Sequence, residues 1–253
     1  MGYKGKEALL GIVFLALFFV SGCTGELDSS EGAGGSNTSQ MIRNIDFYGH
    51  QETAVYDRQE QVPSVIPSLD GNSVNMNERT IDVYRGQDDT EYSYFEGTST
   101  LCGFVEKELY GKYLDIAEPI TETQALAAAD TMLCSLFGDY SEYERLYCEY
   151  SPIDAVYNIS YSYPLAGIHT DNCIAVFVRS DGRVTGVNAY RYDYYRDTAI
   201  AAESVQTAVS ASNATVQDGE ITLRYIAVND GELCLVTNYT GEDGLRQDVR
   251  RIE

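Results

Sequence analysis

The sequence predicts an α+β fold, an antiparallel β-sheet packed by one helix per half. Three observations carry that prediction. A helix with a full start signal opens after Pro119, and strands in which tyrosine alternates with small polar residues follow it. The order helix, strands, helix, strands then recurs. Each half also contains a strand–turn–strand unit with an Asp-Gly turn, at Ser180-Asp181-Gly182 and at Asn229-Asp230-Gly231.

The chain begins with a leader. Lys4 and Lys6 form a positive segment, and Leu9 to Val20 form an apolar run of about a dozen residues. That run is short for a ~30 Å hydrocarbon core. Val20-Ser21-Gly22-Cys23 resembles the bacterial lipobox. Residues 1–22 are therefore expected to be a lipoprotein signal peptide, with Cys23 as the lipidated first residue of the mature protein. The resemblance implies a diacylglycerol on Cys23, and two chains hold a protein stably where one does so marginally. The expected location is the cell membrane, lipid-anchored and facing outside the cytoplasm.

Residues 23–41 follow as a lipidated, flexible tether of Gly, Ser and acidic residues. Coil of that length reaches roughly 20–25 Å, enough to lift a folded domain clear of the headgroups. Residues 42–118 read as an irregular segment and a β-hairpin. Ile42, Ile45 and Phe47 can start one strand, but Pro63, Pro67 and Asp70-Gly71-Asn72 interrupt longer elements. A strand is expected at Thr80–Tyr84, and Glu91–Phe95 with Thr100–Val105 form the hairpin through Glu96-Gly97.

Residues 119–195 form the first α+β half. Thr121-Glu122-Thr123-Gln124 is a capping box with Thr121 at N-cap and Gln124 at N3, and Ile120 sits at the staple position. Leu126, Ala129, Leu133, Leu136 and Phe137 share one face, Cys134 lies at its margin, and Gly138 stops the helix. Strands follow at Arg145–Tyr150, Val156–Tyr163, Ile174–Arg179 and Val184–Tyr192. Residues 196–253 form the second half, with a helix near Ala199–Ser212 and strands at Ile221–Val228 and Glu232–Tyr239.

The runs ITETQALAAADTMLCSLFG and GIHTDNCIAVFVRSDGRVTGV resemble the PepSY-like domains of exported bacterial proteins. The resemblance covers Glu118–Tyr192, and Ala199–Thr240 reads as a degenerate second copy, giving two PepSY-like halves. It implies a sheet packed by a helix, and a binding or inhibitory module rather than an enzyme. The family supplies no catalytic residue to carry over. The chain departs at His169, where such domains often have proline before the Thr-Asp pair.

The chain has 17 Lys and Arg against 39 Asp and Glu, a formal charge of −22, and removal of the leader moves it to −23. Phosphate backbones and anionic headgroups repel such a chain, so nucleic acid is excluded as a partner. Cationic proteins, metal ions or neutral polymers remain. Cys102, Cys134, Cys148, Cys173 and Cys234 contain no CxxC pair, so one or two disulfides are compatible with export while one thiol is left over.

No catalytic constellation stands out. His169 with Asp171 reads as an exposed turn histidine, and His50 is a weaker candidate still. Asp88, Asp89, Glu91, Asp139, Glu142 and Asp193 are carboxylates that a glycosidase-like pair would need, and each reads more simply as solvating a turn. No metal site or cofactor is expected. The surface candidate for binding is Tyr190, Arg191, Tyr192, Tyr194, Tyr195 and Arg196, where aromatic rings flanked by guanidinium groups can hold a sugar, a peptide or a protein. An amphipathic strand with Tyr190 and Tyr192 packed inward competes with that reading. The function expected is a non-catalytic binding module that modulates an envelope protein or cell-wall process. A carboxylate-based envelope hydrolase and a solute-binding lipoprotein are the alternatives.

Overall fold

A run of mostly polar strands opens the described residues, contrary to the irregular segment expected there. The computed structural model describes residues 41–62, 79–107, 118–189, 195–217, 219–229, 231–241 and 244–253. Strands β1 (Ile42–Phe47) and β2 (His50–Val62) form a hairpin, and β3 (Arg79–Arg85), β4 (Thr90–Phe95) and β5 (Leu101–Glu106) continue the meander. Pro63, Pro67 and Asp70-Gly71-Asn72 lie outside the described residues. The β4–β5 hairpin agrees with the sequence reading.

Helix α1 (Glu122–Phe137) starts as its sequence dictates. Thr121 Oγ1 accepts the Gln124 N–H at 3.3 Å, and Gln124 Oε1 accepts the Thr121 N–H at 2.8 Å. The preceding turn is fixed as well, because Ile120 N–H donates to Ser180 and Tyr157 Oη donates to the Ile120 carbonyl at 2.6 Å. The stripe of α1 that is fully buried is Ala125, Ala129, Met132 and Leu133, with Leu126, Leu136 and Phe137 at its margins. The real face is thus rotated slightly from the expected one.

Strands β6 (Glu144–Ser151), β7 (Val156–Leu165), β8 (Ile168–Arg179) and β9 (Val184–Asn188) lie beneath α1. The tyrosine face of β7 points to the helix, where Tyr157, Ile159 and Tyr161 join its core. The turn between β7 and β8 is Ala166-Gly167, both at positive φ, as a two-residue hairpin requires. His169 therefore stands inside a strand, opposite Pro164, and the turn expected around His169 and Asp171 is corrected to a strand from Ile168 onward.

Helix α2 (Ala202–Thr215) begins three residues later than expected and has no side-chain cap at Ala201. It packs on β11 (Glu232–Gly241) and β12 (Gly244–Arg251), which continue from β10 (Glu220–Asn229). Strand β12 was not expected from sequence. It ends the sheet and carries Arg246, Arg250 and Arg251.

The twelve strands join in one mixed sheet. Nine run antiparallel in the order β1-β2-β3-β4-β5-β9-β8-β7-β6. On the edge of β8 facing away from β7, β9 pairs with Ala175–Val178, and β10 meets the other end in parallel through Ile226 and Thr170. The arrangement is thus antiparallel apart from this one join. The β1–β2 turn reaches α1, where Tyr48 N–H donates to Ser135 Oγ at 3.3 Å. Replacing Thr121 with Ala removes the α1 cap and should cost about 1 kcal/mol of stability, read as a lower urea midpoint with an unchanged m-value.

Candidate functional site

Of the aromatic and basic cluster expected to bind a ligand, the described residues include Tyr195 and Arg196 alone. Tyr190, Arg191, Tyr192 and Tyr194 lie outside the described residues, as does Asp193. Tyr195 is fully buried, so its ring is not available to an external ligand. It packs with Leu165, Val205, Ala208, Ile226 and Leu235 beneath α2. Its hydroxyl donates to Asp171 Oδ1 on β8 and accepts the Val228 N–H of β10 at 3.0 Å. Arg196 stays at the surface, 3.7 Å from Glu142. Cys23 and the leader also lie outside the described residues. Among the described residues, no helix is long and apolar enough to cross a membrane.

Two polar clusters are built into the β1–β5 meander, and sequence reasoning recognised neither. The first centres on Glu91, read from sequence as a turn carboxylate but in fact buried on β4. Arg58 donates to both of its oxygens, at 3.0 and 3.1 Å, and Lys107 Nζ donates at 2.5 Å. Arg85 lies 3.7 Å away and also pairs with Asp57 and Asp89. Burial pushes the Glu91 carboxyl up, yet the Arg58 and Lys107 hydrogen bonds outweigh it and hold it below the usual range. Three cations thus converge on one carboxylate and tie β2, β3 and β4 to the end of β5.

The second cluster centres on His50, the first residue of β2. Its side chain is 9% exposed, and Glu106 opposite is 6% exposed. Tyr92 Oη is 2.9 Å from His50 Nδ1 and donates to Glu52 Oε1 at 2.5 Å. Glu52 Oε2 accepts the Gln87 N–H, and a Cβ on Gly86 would stand 2.5 Å from that oxygen. Glycine at position 86 is therefore what lets the carboxylate approach. Arg183 Nη2 donates to Glu106 Oε1 at 2.7 Å. Burial and the Glu52 hydrogen bond raise the Tyr92 phenol well above its usual range, so it stays protonated.

The remaining candidates are structural in their contacts. Asp139 accepts the Ser141 N–H at 2.9 Å and closes a turn. His169 is half-buried, with an Nδ1 that has no hydrogen-bond partner. Cys102, Cys134 and Cys148 are free thiols. Burial pushes the Cys102 thiol up to about 12, far from thiolate chemistry at neutral pH. Among the described residues, no group of three or more His, Cys, Asp or Glu is placed to hold a metal ion.

No family model and no curated protein matches the chain. Among solved structures, the Bacillus megaterium YpeB C-terminal domain is similar at a TM-score of 0.39 and 11% identity, covering 86% of this chain and 91% of that domain.

Two variants test the roles assigned to these clusters. Tyr195→Phe removes both hydrogen bonds across the β8–β10 join and should cost about 1–3 kcal/mol, with faster amide exchange in β10–β12 than in β4–β5. Glu91→Gln should cost about 2–3 kcal/mol at pH 7. The lowered carboxyl means that this contribution is present above the unfolded-state value, near 4.5, and fades as pH falls through the folded one. The gap between variant and parent in urea melts should therefore close in strong acid.

Proposed function

We propose that this protein is a lipid-anchored, extracytoplasmic binding module that modulates an envelope protein without catalysis. Its two α+β halves are read as PepSY-like. The repeated order supports this, since α1 lies across β6–β9 and α2 lies on strands of the β10–β12 group. The lipobox at Cys23 supports the anchor, and the Gly- and Ser-rich tether supports a domain held close to the membrane.

The observation that carries the binding reading is the edge presented by β1. Tyr56 N–H donates to the Met41 carbonyl at 2.8 Å, and Ile42 faces Val55. That register turns the backbone groups of Arg43, Ile45 and Phe47 toward β2 and those of Ile42, Asn44 and Asp46 outward. Among the described residues, β1 pairs with β2 alone. Ile42, Met41 and Tyr48 are exposed beside it, at 61%, 57% and 59%. An extended segment of a partner adds to such an edge by backbone hydrogen bonds, with apolar contacts at alternate positions. The formal charge of −22 and the exposed Asp46 favour a basic segment.

Position 44 provides the test. Its N–H points away from β2, so Asn44→Pro removes an outward donor and no backbone hydrogen bond of the hairpin, giving up only the 3.5 Å bond that Thr53 Oγ1 donates to the Asn44 side chain. A photo-crosslinker at position 42 on intact cells should trap a defined envelope protein, and adding Asn44→Pro should abolish capture while the domain stays folded. Failure to trap any reproducible partner, or cleavage of cell-wall glycan by the pure protein, overturns the proposal. Cys23→Ser should separately abolish lipid labelling and leave the leader uncleaved.

A further inference from the structure

The His50 cluster contains a proton inventory that fixes the state of the ring. Tyr92 has one hydroxyl hydrogen, and it is given to Glu52. The contact between Tyr92 Oη and His50 Nδ1 at 2.9 Å therefore requires the hydrogen to sit on Nδ1. In the neutral ring Nε2 then carries a bare lone pair. It faces Glu106 Oε1 at 3.5 Å, an oxygen already bound by Arg183. Glu106 Oε2 is buried with no hydrogen-bond partner.

The surroundings of the ring are otherwise aromatic. Phe47 of β1 stacks on it with centroids 4.6 Å apart, Phe104 of β5 meets it edge-on at 4.6 Å, and Tyr92 of β4 does so at 5.8 Å. Phe47 also contacts Phe104 and Tyr92 directly. These contacts make His50 the pin through which the β1–β2 hairpin sits on β4 and β5. A second proton would place a cation in this nearly closed site, where Arg183 already shares Glu106 and Tyr92 and Gln87 already engage Glu52.

We propose that His50 is an acid-responsive latch: neutral, with its hydrogen on Nδ1, it fastens the β1–β2 hairpin to β4 and β5, and protonated it loosens that hairpin ahead of the rest of the sheet. The charged and titratable groups facing the ring are Tyr92 of β4, Glu106 of β5, Glu52 of β2 and Arg183 in the β8–β9 turn. Burial lowers the ring from the ordinary histidine range, Glu106 opposes that, Arg183 adds to it and Glu52 opposes it, for a net lowering. An opened hairpin exposes the ring to water, where it titrates near ~6.5. The open form therefore takes up protons more readily. The latch is at full strength above ~6.5 and weakens as pH falls from there toward the folded-state value. This inference holds whatever binds to β1, since it concerns the closure of the hairpin alone.

The chain has two histidines, which makes the test direct. Ring-labelled histidine in the intact folded domain gives two NMR titrations, assigned with a His169→Gln variant. His50 should titrate below the ordinary histidine value, and Glu106→Gln, which removes the opposing negative charge, should move it lower still. Between pH 7.5 and 5.5, exchange of the β1 amides, corrected for intrinsic rates, should rise several-fold while that of β10–β12 holds constant. His50→Gln should flatten this response. A midpoint at or above that of a free histidine, or an exchange change spread evenly over the sheet or absent from β1, overturns the proposal. The titration of the parent protein decides the matter even where His50→Gln does not fold.

Discussion

The hydroxyl of Tyr195 sits where the last three strands meet the rest of the sheet, and their placement depends on it. Backbone pairing at that seam amounts to one parallel residue pair, Ile226 with Thr170. The phenol adds a bond to Asp171 on one side and takes the Val228 N–H on the other. Adhesion comes from a different source. Leu165, Val205, Ala208, Ile226 and Leu235 close around the ring, and a buried Leu, Ile or Val contributes roughly 1.5–3 kcal/mol. Apolar burial holds the seam shut, while the hydroxyl selects the alignment of β10 on β8, because an offset would leave a buried phenol and a half-buried carboxylate without each other.

The same division of labour recurs in the meander. Strands β1 and β2 carry few buried apolar side chains, chiefly Ile45 and Ala54, so packing alone specifies them weakly. Polar ties supply what packing does not. Arg43 stacks its guanidinium over Tyr84 and Tyr94, Arg58 grips Glu91, and His50 bridges toward Tyr92 and Glu106. In a chain with a large excess of acidic residues, committing Arg58, Arg85 and Lys107 to one buried carboxylate is a strong constraint on where β2, β3 and β4 can lie.

Sequence reasoning reached the parts of this fold that rest on short-range chemistry. The Thr121–Gln124 cap, the alternation in β7 and the Asp181-Gly182 turn are each set by residues within a few positions. It missed β2 because HQETAVYDRQEQV is polar on both faces, and β12 because GLRQDVRR lies at an edge where little is buried. His-Thr-Asp-Asn at 169–172 looks like a turn, and only the Ala166-Gly167 reversal before it shows why it is a strand. Nothing local marks Tyr195 as a ring turned inward. The clusters at Glu91 and His50 depend on long-range pairs, Glu91 with Lys107 16 positions away, Arg58 with Glu91 33 away and Glu106 with Arg183 77 away, which no periodicity reveals.

The first and last of the described strands differ in a way that bears on self-association. Strand β12 finishes with Arg250 and Arg251, and guanidinium groups along a sheet margin discourage another chain from pairing there. Strand β1 has no such guard, since its one arginine, Arg43, is turned inward over Tyr84 and Tyr94. Two copies meeting β1 to β1 would form an isologous, two-fold pair in which each consumes the other's receptive margin. Such a contact closes on itself, and no fibre can grow from it.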